Sequence, residues 1–397
     1  MYKKLMLVLF MCFILSGCYD RKEIDDYAYV IAIGVDKAEG GKYKFTASVA
    51  NPNVIGEAKE KAEGALSNIT VEATDFFSAT EIINYNLSKK INLSHTNLII
   101  FSKSIAQKGL KTFTDSFVRE LKIRPATLVA ISEDATSYLE NLKPILEINP
   151  EKYFKEIFDE DNANFLESAT LSEFFYATNA DERNIVLPVV NVVDDKNEKK
   201  DDAEDKTYNE NDVELTKLPI KSGNKSMITG IAFFADDKLI STGTYAEDVF
   251  HSFISKKTGK ISYTVNVSEK NDNLVVSMTE FKRPKIKVKC EKIPKISVEL
   301  FVDCEVVYLP EGISKSKDSE KISKIVQDDL NKNIKLYLEK TSKTLKCDIE
   351  NFSKYAKRNF LTYKDWQAYN WKEKYKNADF FVDAEVNVVK FGILEND

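Results

Sequence analysis

Nineteen consecutive residues from Asp194 to Asp212, "DDKNEKKDDAEDKTYNEND", contain only Ala203 and Tyr208 as side chains that a core could use. Such a run cannot bury enough apolar surface to offset the entropy of ordering it. The fold must therefore be assembled from the residues on either side of the run. The two sides carry different hydrophobic periods, so the run reads as an exposed loop near a domain boundary.

Before the run, strands and helices alternate. "YAYVIAIGVDK" (27–37) and "KYKFTASVANP" (42–52) are two β-rich stretches around "AEGG", a hairpin signal whose glycines supply positive φ. Residues 56–67 are unpatterned and read as a mobile loop or short helix. "SNITVEA" is a strand, and "TDFFSATEIINYNLSKK" is a helix with a Thr/Asp cap and an apolar face of Phe77, Ile82 and Leu87. "HTNLIIFS" is a buried strand, followed by a short helix stopped at Gly109. The pattern continues with helix "KTFTDSFVRELKI", strand "RPATLVAIS", helix "EDATSYLENL", two helical stretches in 150–180, and strand "NIVLPVVNVV". This is an α/β unit.

After the run, "ITGIAFFADDKLISTGTY" is strand–turn–strand around Asp236 and Asp237, and "AEDVFHSFIS" is a helix. Four alternating stretches, "KISYTVNVSE", "NLVVSMTEFK", "PKIKVKCEKI" and "PKISVELFVDCEVVYL", predict an antiparallel meander. A long helix extends from about Ser319 to Leu345, with Ile322, Ile325, Ile334, Leu338, Thr341 and Leu345 at helical steps. A short aromatic helix, "TYKDWQAYNWKEKY", and a closing strand complete the chain. The fold class is α+β, or mixed α/β, with more than one domain. The expected division is a removed signal (1–17), an N-terminal mixed α/β region in one or two parts (18–193), a charged linker (194–225), and a C-terminal α+β domain (226–397).

The signal rests on the first residues. Lys3 and Lys4 precede an apolar run from Leu5 to Leu15, which ends in small Ser16 and Gly17 and then Cys18. These are the parts of an export signal. The run is too short to cross a bilayer, which takes roughly 20 residues. "LSGC" resembles the bacterial lipobox, in which the cysteine thiol is diacylglycerated and the chain is cut just before it. Cys18 is therefore the expected lipidation site, carrying a diacylglycerol with or without a further N-acyl chain. Membrane attachment is expected through that lipid alone.

Removal of Lys3 and Lys4 takes the net charge from −6 to −8, which argues against a nucleic-acid binder. At 43% hydrophobic and 30% charged residues, the full chain has the composition of a water-soluble globular protein. Once Cys12 leaves with the signal, Cys290, Cys304 and Cys347 remain besides Cys18, at spacings that match no zinc or CxxC pattern. They read as core residues, with a Cys290–Cys304 bridge left open. His95 and His251 read as packed or surface histidines. Asp329, Asn331 and Asn333 imitate the start of a calcium loop, but Ile334 and Lys340 stand where glycine and a bidentate Glu are needed. Trp366, Trp371, Tyr363, Tyr369 and Tyr375 read as packing of a short helix on a sheet rather than a ligand cage. No catalytic constellation, metal site or cofactor site emerges.

Several segments together resemble the Ger(x)C family of spore germination lipoproteins. "GCYDRKEIDDYAYVIAIGVDK" is similar to the family's opening through Cys18, Tyr19, Asp20, Arg21, Glu23, Ile24, Gly34, Asp36 and Lys37, with Tyr19 where the family usually has Trp. "SHTNLIIFSKSIAQKGL", "RELKIRPATLVAIS" and "TGIAFFADDKLISTGTY" resemble its middle segments. The block from Lys346 to Gly392 resembles its C-terminal end, with Ser353 where Gly is common. The resemblance implies three mixed α/β domains and no catalytic residues. It also implies a place on the outer face of the spore inner membrane, beside integral-membrane A- and B-type germinant receptor subunits. A small nutrient is the implied signal, and direct contact with it is left open. The rival expectation is a solute-binding lipoprotein of a transporter, which would have two similar α/β lobes around a cleft.

Overall fold

The computed structural model describes residues 26–51, 65–120, 122–144, 147, 149–158, 169–180, 183–193, 223–255, 259–267, 273–309 and 319–391, with Tyr2 and Met6. Cys18, residues 52–64 and the acidic run lie outside the described residues.

Strands β1 (Tyr27–Lys37) and β2 (Tyr43–Ala50) form the expected hairpin, with Gly40 and Gly41 at φ 64° and 78° in its turn. β3 (Leu66–Ala73) pairs with β2 and leads into α1 (Phe76–Asn86), capped by the Asp75 carboxylate on Ser78 N–H at 2.9 Å. The buried face of α1 is Phe76, Ala79 and Ile83, while Phe77 and Ile82 are 47% and 42% exposed. Of the expected face only Leu87 packs against the core, and the buried stripe is Phe76, Ala79 and Ile83 instead. Its anchor is Phe76, whose ring packs 4.5 Å from Phe117 and 6.0 Å from Phe45. Two aromatic contacts of this kind outweigh the exposure of Phe77 and Ile82.

Short β4 (Lys90–Asn92) lies beside the start of β1. Next come β5 (Leu98–Ser102), α2 (Lys103–Ala106), α3 (Lys111–Arg119), β6 (Leu128–Ser132) and α4 (Ala135–Glu140). After these come α5 (Pro150–Ile157), α6 (Leu171–Asn179), β7 (Val186–Val192), β8 (Ser226–Ala235) and β9 (Lys238–Gly243). The sheet order is β3-β2-β1-β5-β6-β7-β8-β9, with β1, β5, β6 and β7 parallel and antiparallel strands at both ends. Every residue of β5, "LIIFS", is buried, as expected for a parallel strand covered on both faces. β8 hydrogen-bonds to β7, and β9 to β8. The composition break at 194–225 is therefore not a break in the sheet, because residues 226–243 extend the N-terminal one.

The second sheet, β10 (Ile261–Asn266), β11 (Asn273–Lys289), β12 (Lys295–Tyr308) and β13 (Asp379–Phe391), is ordered 10-11-12-13. Its meander has three strands rather than four. "NLVVSMTEFK" and "PKIKVKC" are one strand through Pro284, where the register against β12 shifts between Lys282 and Lys285. A bulge tolerates proline because no ladder N–H is needed there. The closing strand β13 runs parallel to β12, which makes the sheet mixed.

α7 (Tyr245–Ser255) lies between the two sheets, and α8 (Ser319–Glu339), extended by a wider turn over Lys340–Thr344, covers the second one. Ile322, Val326, Leu330, Ile334 and Leu338 of α8 are completely buried, while Ile325 is only partly so. The false calcium loop has a structural use. Tyr263 OH donates to Asp329 at 3.0 Å, and Asn331 Oδ1 accepts the Ala384 N–H at 2.8 Å. The second contact covers the outer edge of β13, which would otherwise present an open pairing template.

The aromatic stretch forms two helices, α10 (Tyr363–Tyr369) and α11 (Trp371–Tyr375), preceded by α9 (Ser353–Ala356). They break at Asn370, which adopts φ 55°. Trp366, Trp371 and Tyr375 are buried and Tyr363 is exposed, so the cluster is core packing. Cys290, Cys304 and Cys347 are free thiols, which closes the question of a Cys290–Cys304 bridge. Burial pushes the Cys304 and Cys347 thiols up to about 12, far from thiolate reactivity. Val186, Ile231 and Phe233 of the first sheet belong to the same apolar cluster as the second sheet, so one core runs across the joint.

Candidate functional site

A groove lies at the carboxyl edge of the parallel strands. It has a volume of about 450 Å³, and its lining includes Lys103, Ser132, Glu133, Ser137, Asn191, Thr229 and Thr242. In α/β sheets this edge is where side chains from successive strand ends converge. Asn191 organises it. Its Oδ1 accepts the Glu133 N–H at 2.8 Å, and its Nδ2 donates to Thr229 Oγ1 at 3.0 Å. At the rim, Lys103 Nζ donates to Glu133 at 2.7 Å. Gly230 and Gly243 form the floor, and a Cβ on Gly230 would lie 2.5 Å from the Gly243 carbonyl oxygen. β8 and β9 can approach this closely only with glycine at position 230.

The groove supplies hydroxyls, an amide and one ion pair, a lining suited to holding a small polar group. Its serines have no imidazole beside them. His95 stands at the opposite edge of the sheet, bonded to Glu151 at 3.2 Å and edge-on to Tyr29. His251 is buried in the joint between the sheets, where its Nδ1 lies 2.9 Å from Glu350. Tyr337 OH donates to the same carboxylate at 2.6 Å, and burial together with that charge raises the Tyr337 pKa. Among the described residues, no group of three or more His, Cys, Asp or Glu side chains is placed to hold a metal ion. No described helix is long and apolar enough to cross a membrane.

The signature residues of the sequence prove to be fasteners around this groove and the joint. Asp36 is buried. Its Oδ1 accepts the Ala135 N–H at 2.9 Å, and its Oδ2 accepts the Thr136 N–H at 2.8 Å and the Thr136 hydroxyl at 2.7 Å. It thereby satisfies the first-turn donors of α4, whose own cap, Asp134, takes the Ser137 N–H at 2.7 Å. Gly34 makes room for the same helix, since a Cβ there would meet Leu139 at 3.1 Å and Ala135 at 3.3 Å. Asp237, in the β8–β9 turn, accepts the Lys111 N–H at 3.1 Å and seats α3.

At the joint, Asp348 accepts the N–H groups of Phe352 and Ser353 and the Trp371 indole N–H, each at 2.8 Å. Desolvation raises its pKa to about 6 against the lowering effect of those three donors. Asn351 Oδ1 accepts the Asn184 N–H at 2.7 Å, and its Nδ2 donates to the Asn184 carbonyl at 3.0 Å. These contacts tie the first sheet to the C-terminal block. The sequence singled out Gly34, Asp36 and the C-terminal block that contains Asp348 and Asn351, but Asn191 carried no local signal and the distant partner of Asn351 was not visible. A polar residue that works across 59 or 167 positions of chain is recognisable only once the chain is folded.

The similarities to known proteins fall into two parts that divide at the acidic run, so that β8 and β9 go with the C-terminal match although they belong to the first sheet. Residues 20–192 match the family model described as spore germination protein N-terminal domain, and residues 229–392 match that of spore germination B3/GerAC like, C-terminal. Spore germination protein KC of Bacillus subtilis (strain 168) is 24% identical over 405 residues, covering 98% of this chain and 96% of that protein. Spore germination protein GerQC of Bacillus cereus is 23% identical over 404 residues, covering 99% and 100%. The crystal structure of the GerBC protein has the same fold, with a TM-score of 0.51 at 14% identity, covering 90% of this chain and 96% of that one. With both halves matched in order and relatives aligned from end to end, the chain belongs to the Ger(x)C family of spore germination proteins.

Proposed function

We propose that the mature chain is a non-enzymatic, lipid-anchored subunit of a nutrient germinant receptor. In this reading Cys18 holds it at the outer face of the spore inner membrane, where it acts with two integral-membrane partner subunits to trigger germination. The observation that carries the reading is the pair of germination-protein domains arranged in order behind a lipobox cysteine. Diacylation matters energetically: one acyl chain, at ~0.8 kcal/mol per buried CH₂, anchors marginally, and two anchor durably. Replacing Cys18→Ala is expected to move the chain from the membrane fraction to the soluble fraction by more than about tenfold and to abolish the nutrient response. Membrane retention with a normal response in that variant would overturn the reading.

The transporter alternative calls for two like lobes. The nine-stranded and four-stranded sheets differ in size and strand order. Titration calorimetry of the chain alone with amino acids and sugars separates the two readings. A transporter lobe binds its solute unaided at roughly micromolar strength, whereas a subunit working through membrane partners is expected to give no heat at that strength.

A further inference from the structure

The tether has a short reach. Tyr27 opens β1 nine positions after Cys18, so at full extension the strand begins within about 30 Å of the acylated residue. β1 then crosses the first sheet, and Asp36, near its far end, stands up to about 30 Å further on. The edge that carries the start of β1 is thus the near edge, and the groove at the ends of β5 and β6 is the far one.

The near edge has its own chemistry. Lys90 pairs in register with Tyr27, and Asn84 Oδ1 accepts the Ile91 N–H at 2.9 Å, which brings the end of α1 with Tyr85 to the same rim. Arg124 Nη2 reaches Asn97 at 2.9 Å, placing the loop that holds Lys122 beside the start of β5. Tyr85 is 88% exposed, and Lys89, Lys90 and Lys122 are exposed. Glu151 is already held by His95 and Arg124. Lys89, Lys90 and Lys122 form no ion pair among the described residues. Three free ammonium groups and a solvent-facing tyrosine, in a chain whose net charge is negative, suit a surface of anionic headgroups with an interfacial layer for the ring.

Resting on the anchored reading of Cys18, we infer that the rim bearing Tyr85, Lys89, Lys90 and Lys122 lies against anionic lipid headgroups. The carboxyl-edge groove then opens away from the membrane. The lysines supplement the acyl anchor and, more importantly, orient the chain.

Two measurements on the mature chain test this. In the first, a polyhistidine tag replaces Cys18 and tethers the chain to phosphatidylglycerol-containing vesicles with nickel-chelating lipid and a headgroup nitroxide quencher. A fluorophore is attached through Lys90→Cys or through Glu133→Cys, in a Cys290→Ser background. Quenching is expected to be several-fold stronger at position 90; equal quenching, or stronger quenching at 133, overturns the orientation. In the second, the untethered chain is sedimented with phosphatidylglycerol or phosphatidylcholine vesicles. Binding is expected only to the anionic ones, and it should fall by roughly fivefold for each of Lys89→Glu, Lys90→Glu and Lys122→Glu. Absent binding, equal binding to neutral vesicles, or insensitivity to the three substitutions overturns the lipid contact and leaves a protein partner for that rim. Mass spectrometry of Cys18 in spores decides the anchor separately, because neither vesicle measurement depends on acylation.

Discussion

Asp36→Ala is expected to lower the unfolding free energy of the mature chain by about 3 kcal/mol, seen as a lower urea midpoint with an unchanged slope. The cost comes from what is left behind. The N–H groups of Ala135 and Thr136 point into a buried site with only this carboxylate to receive them, and the Thr136 hydroxyl loses one of its partners. A lost N-cap alone costs about 1 kcal/mol, and each buried unsatisfied donor adds about 1–3 kcal/mol. The effect should also spread. Thr136 Oγ1 lies 2.8 Å from Thr46 Oγ1, which in turn lies 3.0 Å from Thr70 Oγ1, so the network crosses three strands and α4. Hydrogen exchange in β1, β2 and α4 should accelerate together. A midpoint within about 0.5 kcal/mol of wild type would show that the carboxylate is dispensable.

The second large effect is a pH dependence at the joint. Asp348 titrates at about 6 in the fold against an ordinary 3.8, because burial disfavours its charge more than the Phe352, Ser353 and Trp371 donors favour it. A folded-state pKa raised above the unfolded value means that folding favours the protonated form. The stability this group contributes is therefore complete below about 4 and is lost as pH rises through about 6. The loss is on the order of 3 kcal/mol. Asp348→Asn removes the titration, so the variant should gain about 3 kcal/mol relative to wild type between pH 4 and pH 7. Urea midpoints of both proteins across that range check it, and parallel curves would rule out Asp348 as the source. Exposed carboxylates such as Glu291 and Glu305, lowered by their lysine partners, act in the opposite sense, but they are common to both proteins and drop out of the difference.

Both predictions rest on residues that the sequence marked and the fold explains. The strands of the first sheet were legible because their side chains obey local rules: "LIIFS" is apolar throughout apart from its last residue, and "AEGG" demands a turn. The helix Ser319–Glu339 was legible from its spacing. The failures are equally local. Phe77 and Ile82 looked like the buried face of α1 because a hydrophobic period fixes the angular width of a face but not the partner it will meet. Pro284 looked like a turn because a bulge in the neighbouring register is invisible from one strand.

By itself, the sequence determined the element types and the succession of short motifs that identifies the family. Each is a property of neighbouring residues. Only the tertiary structure decided that β8 and β9 join the first sheet, that β13 pairs parallel to β12, and that Asn191 organises a groove and Asn351 a joint. It also turned the Gly34–Asp36 signature into the seat of a helix that begins 99 residues later in the chain. Hydrogen bonds and apolar contacts between distant segments are set by the geometry of packing, and no window of sequence contains both partners.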